Sequence, residues 1–314
     1  MRILIWGAGG IGCYYGSRLQ LAGHEITYVA RKEHLAAMQN KGLVVKHEHF
    51  QFADTVNAID QQTLQTSHHC DDFDLIILTL KNTETQSVLQ HMRDWLLQGH
   101  CPLLSLQNGV DNEPQIAALI GPSRTIGGLA VRIGGHIVEP GVIEAKGLAQ
   151  VVLGGWPNEA GSTVSSAFIL KVQHSFTDAG IPTSVSDDIH KELWRKLLIN
   201  NGVNPLSALT RLDTKRLTSN PVLGKTVYKM MQETADAAKF DGVELTQSDI
   251  DEMFRLISDF DAIKTSMLVD REKGRPLELD YICGAVISRC EKLGLDAPFT
   301  ELMLELLRLE ISND

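Results

Sequence analysis

Lys196, Asn200 and Asn204 recur every four residues among the apolar neighbours Leu193, Trp194, Leu197, Leu198 and Ile199. On a helix that spacing stacks the three polar side chains on one face. Polar groups inside a largely buried helix need partners, because each one left unpaired costs roughly 1–3 kcal/mol. Lining a wet cleft would satisfy them; a solvated outer face is the alternative. A lysine in such a stripe suits carbonyl reduction. A ketone oxygen attacked by hydride becomes an alkoxide, which needs positive charge and then a proton. An ammonium against an apolar wall has a lowered pKa and can supply both. Pro205 follows the stripe; without an N–H to donate, it is expected to free a carbonyl near Asn201 and bend the chain at Asn204.

A hydride donor has its own pattern at the start of the chain. Arg2 to Trp6 reads as a buried strand, Gly7-Ala8-Gly9-Gly10-Ile11-Gly12 has GxGxxG spacing, and Cys13 to Ala22 reads as a helix. Gly23 ends that helix and Glu25 to Val29 reads as a second strand. Strand, glycine turn, helix and strand in this order form the dinucleotide-binding fingerprint. Gly7 allows the tight turn, Gly9 lets backbone N–H groups approach a pyrophosphate, and Gly12 lets helix and strand pack closely. The helix N-terminus then offers its partial positive charge to the phosphates. The second strand runs out into Ala30-Arg31-Lys32 with no acid at its tip, while Glu33 is placed in the first turn of the next helix. Arg31 suits a 2′-phosphate, which selects NADPH over NADH. Two solvated surface cations are the alternative.

At 314 residues with a formal charge of −10, the chain has room for two cored domains and lacks the basic balance expected of a nucleic-acid or anionic-membrane binder. No apolar run approaches the ~18 residues of a membrane span, and the first residues enter a strand without a signal-peptide pattern. The five cysteines are scattered and contain no CxxC, which fits reduced thiols and a cytoplasmic location.

The intervening elements place further candidates. Glu33 to Asn40 reads as a helix and Leu43 to Lys46 as a strand; residues 47–72 read as polar and irregular. Within them, His47-Glu48-His49 and His68-His69-Cys70-Asp71-Asp72 have no matching second half at a metal-ligand spacing and read as a strand edge and a loop. Phe73 to Leu80 is a buried strand ending in Lys81, with Asn82-Thr83-Glu84 capping the next helix. Pro102 to Leu106 is another, ending in Gln107-Asn108-Gly109 before a helix signalled by Asp111, Glu113 and Pro114. Ligands of open α/β sheets bind beyond the carboxyl ends of strands, so Lys81 and Asn108 stand on the cofactor side, where the Asn108 amide can both donate and accept. Ile126 to Ile133, Ile137 to Glu144 and Gln150 to Leu153 alternate as an antiparallel edge of the parallel sheet. A helix over Ser162 to Ala179 and an extended stretch to Val185 complete an α/β domain.

From Ser186 onward the periodicity is helical, with helices expected near 187–204, 221–240, 247–270, 279–293 and 298–311. The fold class is therefore an α/β Rossmann-type domain over residues 1–185, a parallel sheet with an antiparallel edge, followed by an all-α domain over 186–314. Ser266 falls late in one helix, as an ordinary helix hydroxyl or a contact. Glu278 opens another, where the helix dipole or capping explains an acid equally well.

The order Gly7–Gly12, Arg31, Lys81, Gln107-Asn108-Gly109, Lys196-xxx-Asn200-xxx-Asn204-Pro205, Ser266-Met267, Glu278-x-Asp280-Tyr281 resembles the ketopantoate reductase (2-dehydropantoate 2-reductase) family over nearly the whole chain. The resemblance implies NADPH-dependent reduction of ketopantoate to pantoate on the way to pantothenate and coenzyme A. It implies Lys196 as general acid, Asn108, Asn200 and Asn204 as substrate contacts, and Ser266 as the hydroxyl for the substrate carboxylate. Lys81, Asn108 and Glu278 then serve the cofactor side. In the loop after Asn204, where some members carry another substrate-binding asparagine, this chain has Thr214-Lys215. A different 2-keto or 3-hydroxy acid is the nearest alternative, and a non-catalytic NADP(H) sensor the more distant one. A small-molecule 2-keto acid, no nucleic acid and no membrane are expected as partners, the protein being a monomer or homodimer. The site is expected in a cleft between the domains, with a hinge near residues 180–186.

Overall fold

The first strand, β1 (Arg2–Trp6), sits in the middle of the larger sheet and sends alternate side chains into two cores. Ile3 and Ile5 join Tyr15 and Phe176 on one face, while Leu4 and Trp6 join Phe73 and Trp95 on the other. An uninterrupted apolar strand is what a sheet covered on both faces requires. In this computed structural model residues 1–259 and 262–313 are described. They divide into two compact units, Met1–Asn108 with Asn112–Ile189, and Gly109–Asp111 with His190–Asp314.

In the first unit β1 is followed by α1 (Gly10–Leu21), β2 (Glu25–Val29), α2 (Lys32–Lys41), β3 (Leu43–His47), β4 (Phe50–Asp54), β5 (Asn57–Ile59) and α3 (Gln61–Ser67). Then come β6 (Leu75–Leu78), α4 (Asn82–His91), α5 (Arg93–Leu97), β7 (Leu103–Ser105) and α6 (Asn112–Ile120). β8 (Thr125–Val131), β9 (Gly134–Glu139), β10 (Val142–Lys146), β11 (Gln150–Gly155), α7 (Ser166–Asp178) and β12 (Thr183–Val185) complete it. Among the described residues the larger sheet has the order β12-β11-β8-β7-β6-β1-β2-β5. The run from β8 to β5 is parallel, and β11 is antiparallel to β8. Its six parallel strands are arranged as in a dinucleotide-binding sheet, with the order reversing between β1 and β6, where such sheets bind ligands.

Three expectations for this unit are corrected. Residues 47–72 are not irregular: β4 pairs antiparallel with β3, β5 extends the main sheet, and α3 is capped by Asp60, whose carboxylate accepts from the Thr63 N–H at 2.7 Å. His47 is buried in β3, its Nε2 donating to the Gly147 carbonyl at 2.7 Å and its Nδ1 accepting from the His49 N–H. The stretch from Ile137 to Glu144 does not extend the main sheet. β9 and β10 form a hairpin that pairs with β3 and β4 in a second sheet of order β4-β3-β10-β9, which lies against α1. Alternation marks a strand but not which edge it joins. Finally, α4 starts after Lys81 with no side-chain cap, so Asn82 is not its cap.

The second unit is helical: α8 (Ile189–Thr210), α9 (Thr214–Ser219), α10 (Leu223–Ala238), α11 (Gln247–Asp259), α12 (Ser266–Glu272), α13 (Leu279–Leu293) and α14 (Pro298–Asn313). α8 carries Pro205 inside it and stays helical to Thr210 instead of ending at Asn204. Packing outweighs the lost backbone bond. Asn201 is buried and donates to the hydroxyls of Thr234 and Thr300 at 3.0 and 2.9 Å. Buried Glu233 in turn accepts from the N–H groups of Phe299 and Thr300 at the start of α14. The helix expected over 247–270 is two helices. Its residues Phe260 and Asp261 lie outside the described ones, and α12 begins afresh because the Thr265 hydroxyl accepts from the Leu268 N–H as its cap. α9, unforeseen, is capped by Asp213.

His34, in the first turn of α2, ties the two sheets of the first unit together. Its Nδ1 accepts from the Gly141 N–H at 3.0 Å in the β9–β10 turn. Burial holds its pKa below the ordinary 6.5, a bond to the backbone of Ala8 opposing it. His24 is lowered as well, by burial and by the N-terminal ammonium. Because the unfolded chain takes up protons first, stability falls as pH drops below about 6.5 and is flat above about 7.5. The urea midpoint is expected to be lower at pH 5.5 than at 7.5, and the difference to shrink in His34→Asn, as equilibrium unfolding at both pH values will show.

Candidate active site

The glycine turn is shaped by close backbone contacts. Gly7 has φ +117°, and a Cβ there would meet the Leu80 N and Thr79 C atoms at 2.8 Å. The Thr79 hydroxyl donates to the Gly7 carbonyl at 2.8 Å, and the Gly9 N–H donates to the same oxygen at 2.7 Å. A Cβ on Gly12 would lie 2.2 Å from that oxygen, so α1 approaches β1 only because residue 12 is glycine. Gly10 is pressed against Gly135 of β9, where a Cβ would come within 2.1 Å of backbone. Gly9 differs from all of these: a Cβ on it would meet nothing within 4 Å. It is the N-cap of α1, no side chain caps the helix, and no acid stands in its first turn. The N–H groups of the first turn, from Gly10, Ile11 and Gly12, therefore have neither a capping side chain nor a competing carboxylate. Open space beside Gly9 and an uncapped helix N-terminus fit the pyrophosphate of a dinucleotide.

Three more strands end on this rim. β2 leads to Ala30 and Arg31; Arg31 is exposed, with its Nη2 2.7 Å from Oε1 of Glu84 on α4. Sequence reasoning missed Glu84, because it lies fifty-three positions away along the chain. β6 leads to Lys81, whose side chain is exposed. β7 leads to Gln107 and Asn108, held by a buried polar network. The Gln107 amide donates to the Leu80 carbonyl at 2.9 Å and to the Thr85 hydroxyl at 2.8 Å. Thr85 donates to Asn112, and Asn112 donates to the Asn108 carbonyl at 2.8 Å and to the Asn82 side-chain oxygen at 3.2 Å. The loops bearing Lys81 and Asn108 are thus one rigid assembly. Its members are short polar residues of the kind that turns contain anyway, which is why they carried no signal.

In the helical unit α8 holds Lys196 and Asn200 half-buried and Asn204 4 % exposed. Trp194, on the preceding turn, lies under the Arg289 guanidinium at 5.3 Å. That guanidinium also reaches Asp241 at 2.8 Å and Asp111 at 2.7 Å. Ser266 is exposed at the first position of α12, not late in a helix, and Thr265 rather than Ser266 does the capping. Arg271 of α12 donates to the Ala208 and Leu209 carbonyls near the end of α8 and pairs with Glu310. Thr214 donates its N–H to the Ile263 carbonyl at 3.0 Å and accepts the Ile263 N–H on its hydroxyl. The departure at Thr214 thus anchors the segment leading to Ser266. Glu278 is the N-cap residue of α13 but makes no side-chain capping bond.

All five cysteines are buried and outside disulfides; burial raises the Cys283 thiol to about 12 and Cys290 to about 11, whereas a hydrogen bond with Cys101 lowers Cys70. Among the described residues no group of three or more His, Cys, Asp or Glu is placed to hold a metal ion, and no helix is long and apolar enough to cross a membrane.

Comparison with known proteins gives the family of the chain. Residues 3–158 match the family described as ketopantoate reductase PanE/ApbA, and residues 188–310 match its C-terminal part. The 2-dehydropantoate 2-reductase of Pyrococcus horikoshii is 29 % identical over 312 residues, 99 % of this chain and 98 % of that protein. The crystal structure of 2-dehydropantoate 2-reductase from Geobacter metallireducens superposes with TM-score 0.84 at 28 % identity, covering 99 % of this chain and all of the other. A ternary structure of D-mandelate dehydrogenase with NADH and anilino(oxo)acetate has TM-score 0.87 at 24 % identity, over 100 % of this chain and 99 % of that one, a likeness of fold. With both halves of its length matched in order, the chain belongs to the ketopantoate reductase family.

Proposed function

We propose that this protein is an NADPH-dependent oxidoreductase that reduces 2-dehydropantoate to pantoate, within pantothenate and coenzyme A biosynthesis. What supports the reading is the match of both halves of the chain to one reductase family, together with an uncapped glycine turn where that chemistry needs a dinucleotide. The reading assigns cofactor binding to residues 1–185 and substrate handling to residues 186–314, the enzyme working in the cytoplasm as a monomer or homodimer.

Gly7, Ala8, Gly9, Gly10, Ile11 and Gly12 hold the pyrophosphate through backbone N–H groups, and Arg31 holds the 2′-phosphate. Lys81, Asn108 and Glu278 orient the remainder of the cofactor. NADPH supplies, when bound, the hydride that adds to the keto carbon. Lys196 stabilises the oxygen on which negative charge builds and then gives it a proton from Nζ. Asn200 and Asn204, one and two turns further along α8, donate to substrate oxygens, as Asn108 does from the β7 rim, and the Ser266 hydroxyl donates to the carboxylate. A donor fixed on a packed helix needs no reorganisation as charge develops, which is what makes it effective.

Initial rates of NADPH oxidation across a panel of 2-keto acids test this directly. The highest kcat/KM is expected with 2-dehydropantoate; a higher value for another acid would reassign the substrate, and tight NADPH binding without turnover would mark a sensor. Lys196→Ala should lower kcat and kcat/KM together by about 10²–10⁴-fold, as loss of a general acid does, while NADPH affinity measured by fluorescence titration stays near wild type. Arg31→Ala should weaken NADPH by roughly 10–100-fold, the worth of a charge-assisted contact, and leave NADH nearly unaffected; equal losses would remove Arg31 from the phosphate.

A further inference from the structure

Arg31 does not meet a ligand alone. Oε1 of Glu84, in the first turn of α4, lies 2.7 Å from its Nη2, and the two side chains are 31 % and 66 % exposed. An exposed ion pair of this kind contributes at most about 1 kcal/mol to folding, and the first turn of α4 gives an acid a similar gain from the helix dipole; the position of the carboxylate against Arg31 has a further consequence for binding. Two recognition chemistries converge there. In dinucleotide-binding folds an acid at the end of the second strand accepts from the ribose 2′-hydroxyl of NAD, whereas a cation accommodates the 2′-phosphate of NADP. Here β2 ends in the cation, and the acid is delivered to the same point by another helix of the same unit.

We infer that Glu84 is a specificity-determining residue that narrows the preference for NADPH over NADH. The inference rests on the reading of Arg31 as the 2′-phosphate contact. A phosphate that reaches Nη2 must either displace the Glu84 carboxylate from the guanidinium or sit beside a like charge; each weakens NADPH. NADH demands neither. Its 2′-hydroxyl donates to the Glu84 carboxylate while that carboxylate keeps Arg31, whose remaining N–H groups are available to water. Glutamine at position 84 retains the size of the side chain and loses the charge.

The test is a set of binding titrations on the full chain, with NADPH, NADH, 2′,5′-ADP and 5′-AMP against wild type, Glu84→Gln, Glu84→Ser and Arg31→Ala. Both Glu84 variants are expected to tighten NADPH and 2′,5′-ADP by roughly 5–10-fold, the scale of one like-charge contact near a protein surface, and to weaken NADH by about 2–3-fold, with less change as salt rises and screens the charges. An unchanged NADPH-to-NADH ratio would overturn the inference. So would weaker NADPH binding by the variants, which would make Glu84 a residue that aims Arg31 at the phosphate. The underlying reading fails separately: if Arg31→Ala discriminates 2′,5′-ADP from 5′-AMP as wild type does, Arg31 is not the phosphate contact, whatever Glu84 does.

Discussion

The closeness of α1 to β1 and β6 is the constraint on which the first unit depends. The Gly7 carbonyl receives both the Thr79 hydroxyl and the Gly9 N–H, and a side chain on Gly12 would collide with that same oxygen. Three backbone segments therefore share one small volume, and only residues without a Cβ fit at Gly7 and Gly12. The consequence is chemical. With the helix drawn down onto the sheet, its first-turn N–H groups stand at the carboxyl edge of the parallel strands, beside the tips that carry Arg31, Lys81 and Asn108. Placing an anion there costs no rearrangement, because the fold has already ordered the donors.

Two supports keep that edge rigid, and both come from outside the fingerprint. The second sheet packs on α1, with Gly135 against Gly10 and the β9–β10 turn donating to His34 of α2. The network of Gln107, Thr85, Asn112 and Asn82 locks the β6 and β7 rims to each other. Buried polar networks strengthen their own hydrogen bonds in a low dielectric and resist partial disruption. They are suited to hold loops whose side chains must point outward to a ligand.

What could be read from the chain follows the distance over which each signal acts. The β1–α1–β2 unit spans some thirty residues and announces itself through spacing alone, as does the apolar run of β6. The destination of Ile137 to Glu144 was hidden, since its partner β3 lies far back in the chain and alternation says nothing of it. Glu84 was hidden for the same reason. Asn200 and Asn201 illustrate a finer limit. They are adjacent and identical, yet they stand about 100° apart around a helix. Asn201 goes to Thr234 and Thr300, whereas Asn200 shares the Lys196 face. The periodicity defines the faces; which of them turns to the core is decided by α10 and α14, which no local pattern describes.

That division of labour explains how α8 keeps a precise stripe in spite of Pro205. A proline inside a helix removes one backbone bond and tends to kink it. Here the turn before it is clamped: Asn201 is bonded to two hydroxyls, and Thr300 is bonded in turn to Glu233, whose carboxylate serves the N-terminus of α14. Further back, Trp194 lies under Arg289, which two aspartates hold in place. Further on, Arg271 takes up carbonyls near the helix end. Lys196, Asn200 and Asn204, proposed for proton donation and substrate binding, thus sit on a helix fixed at its start, its middle and its end by other side chains. A general acid gains from this arrangement because its effectiveness depends on a geometry already correct before charge appears on the substrate oxygen.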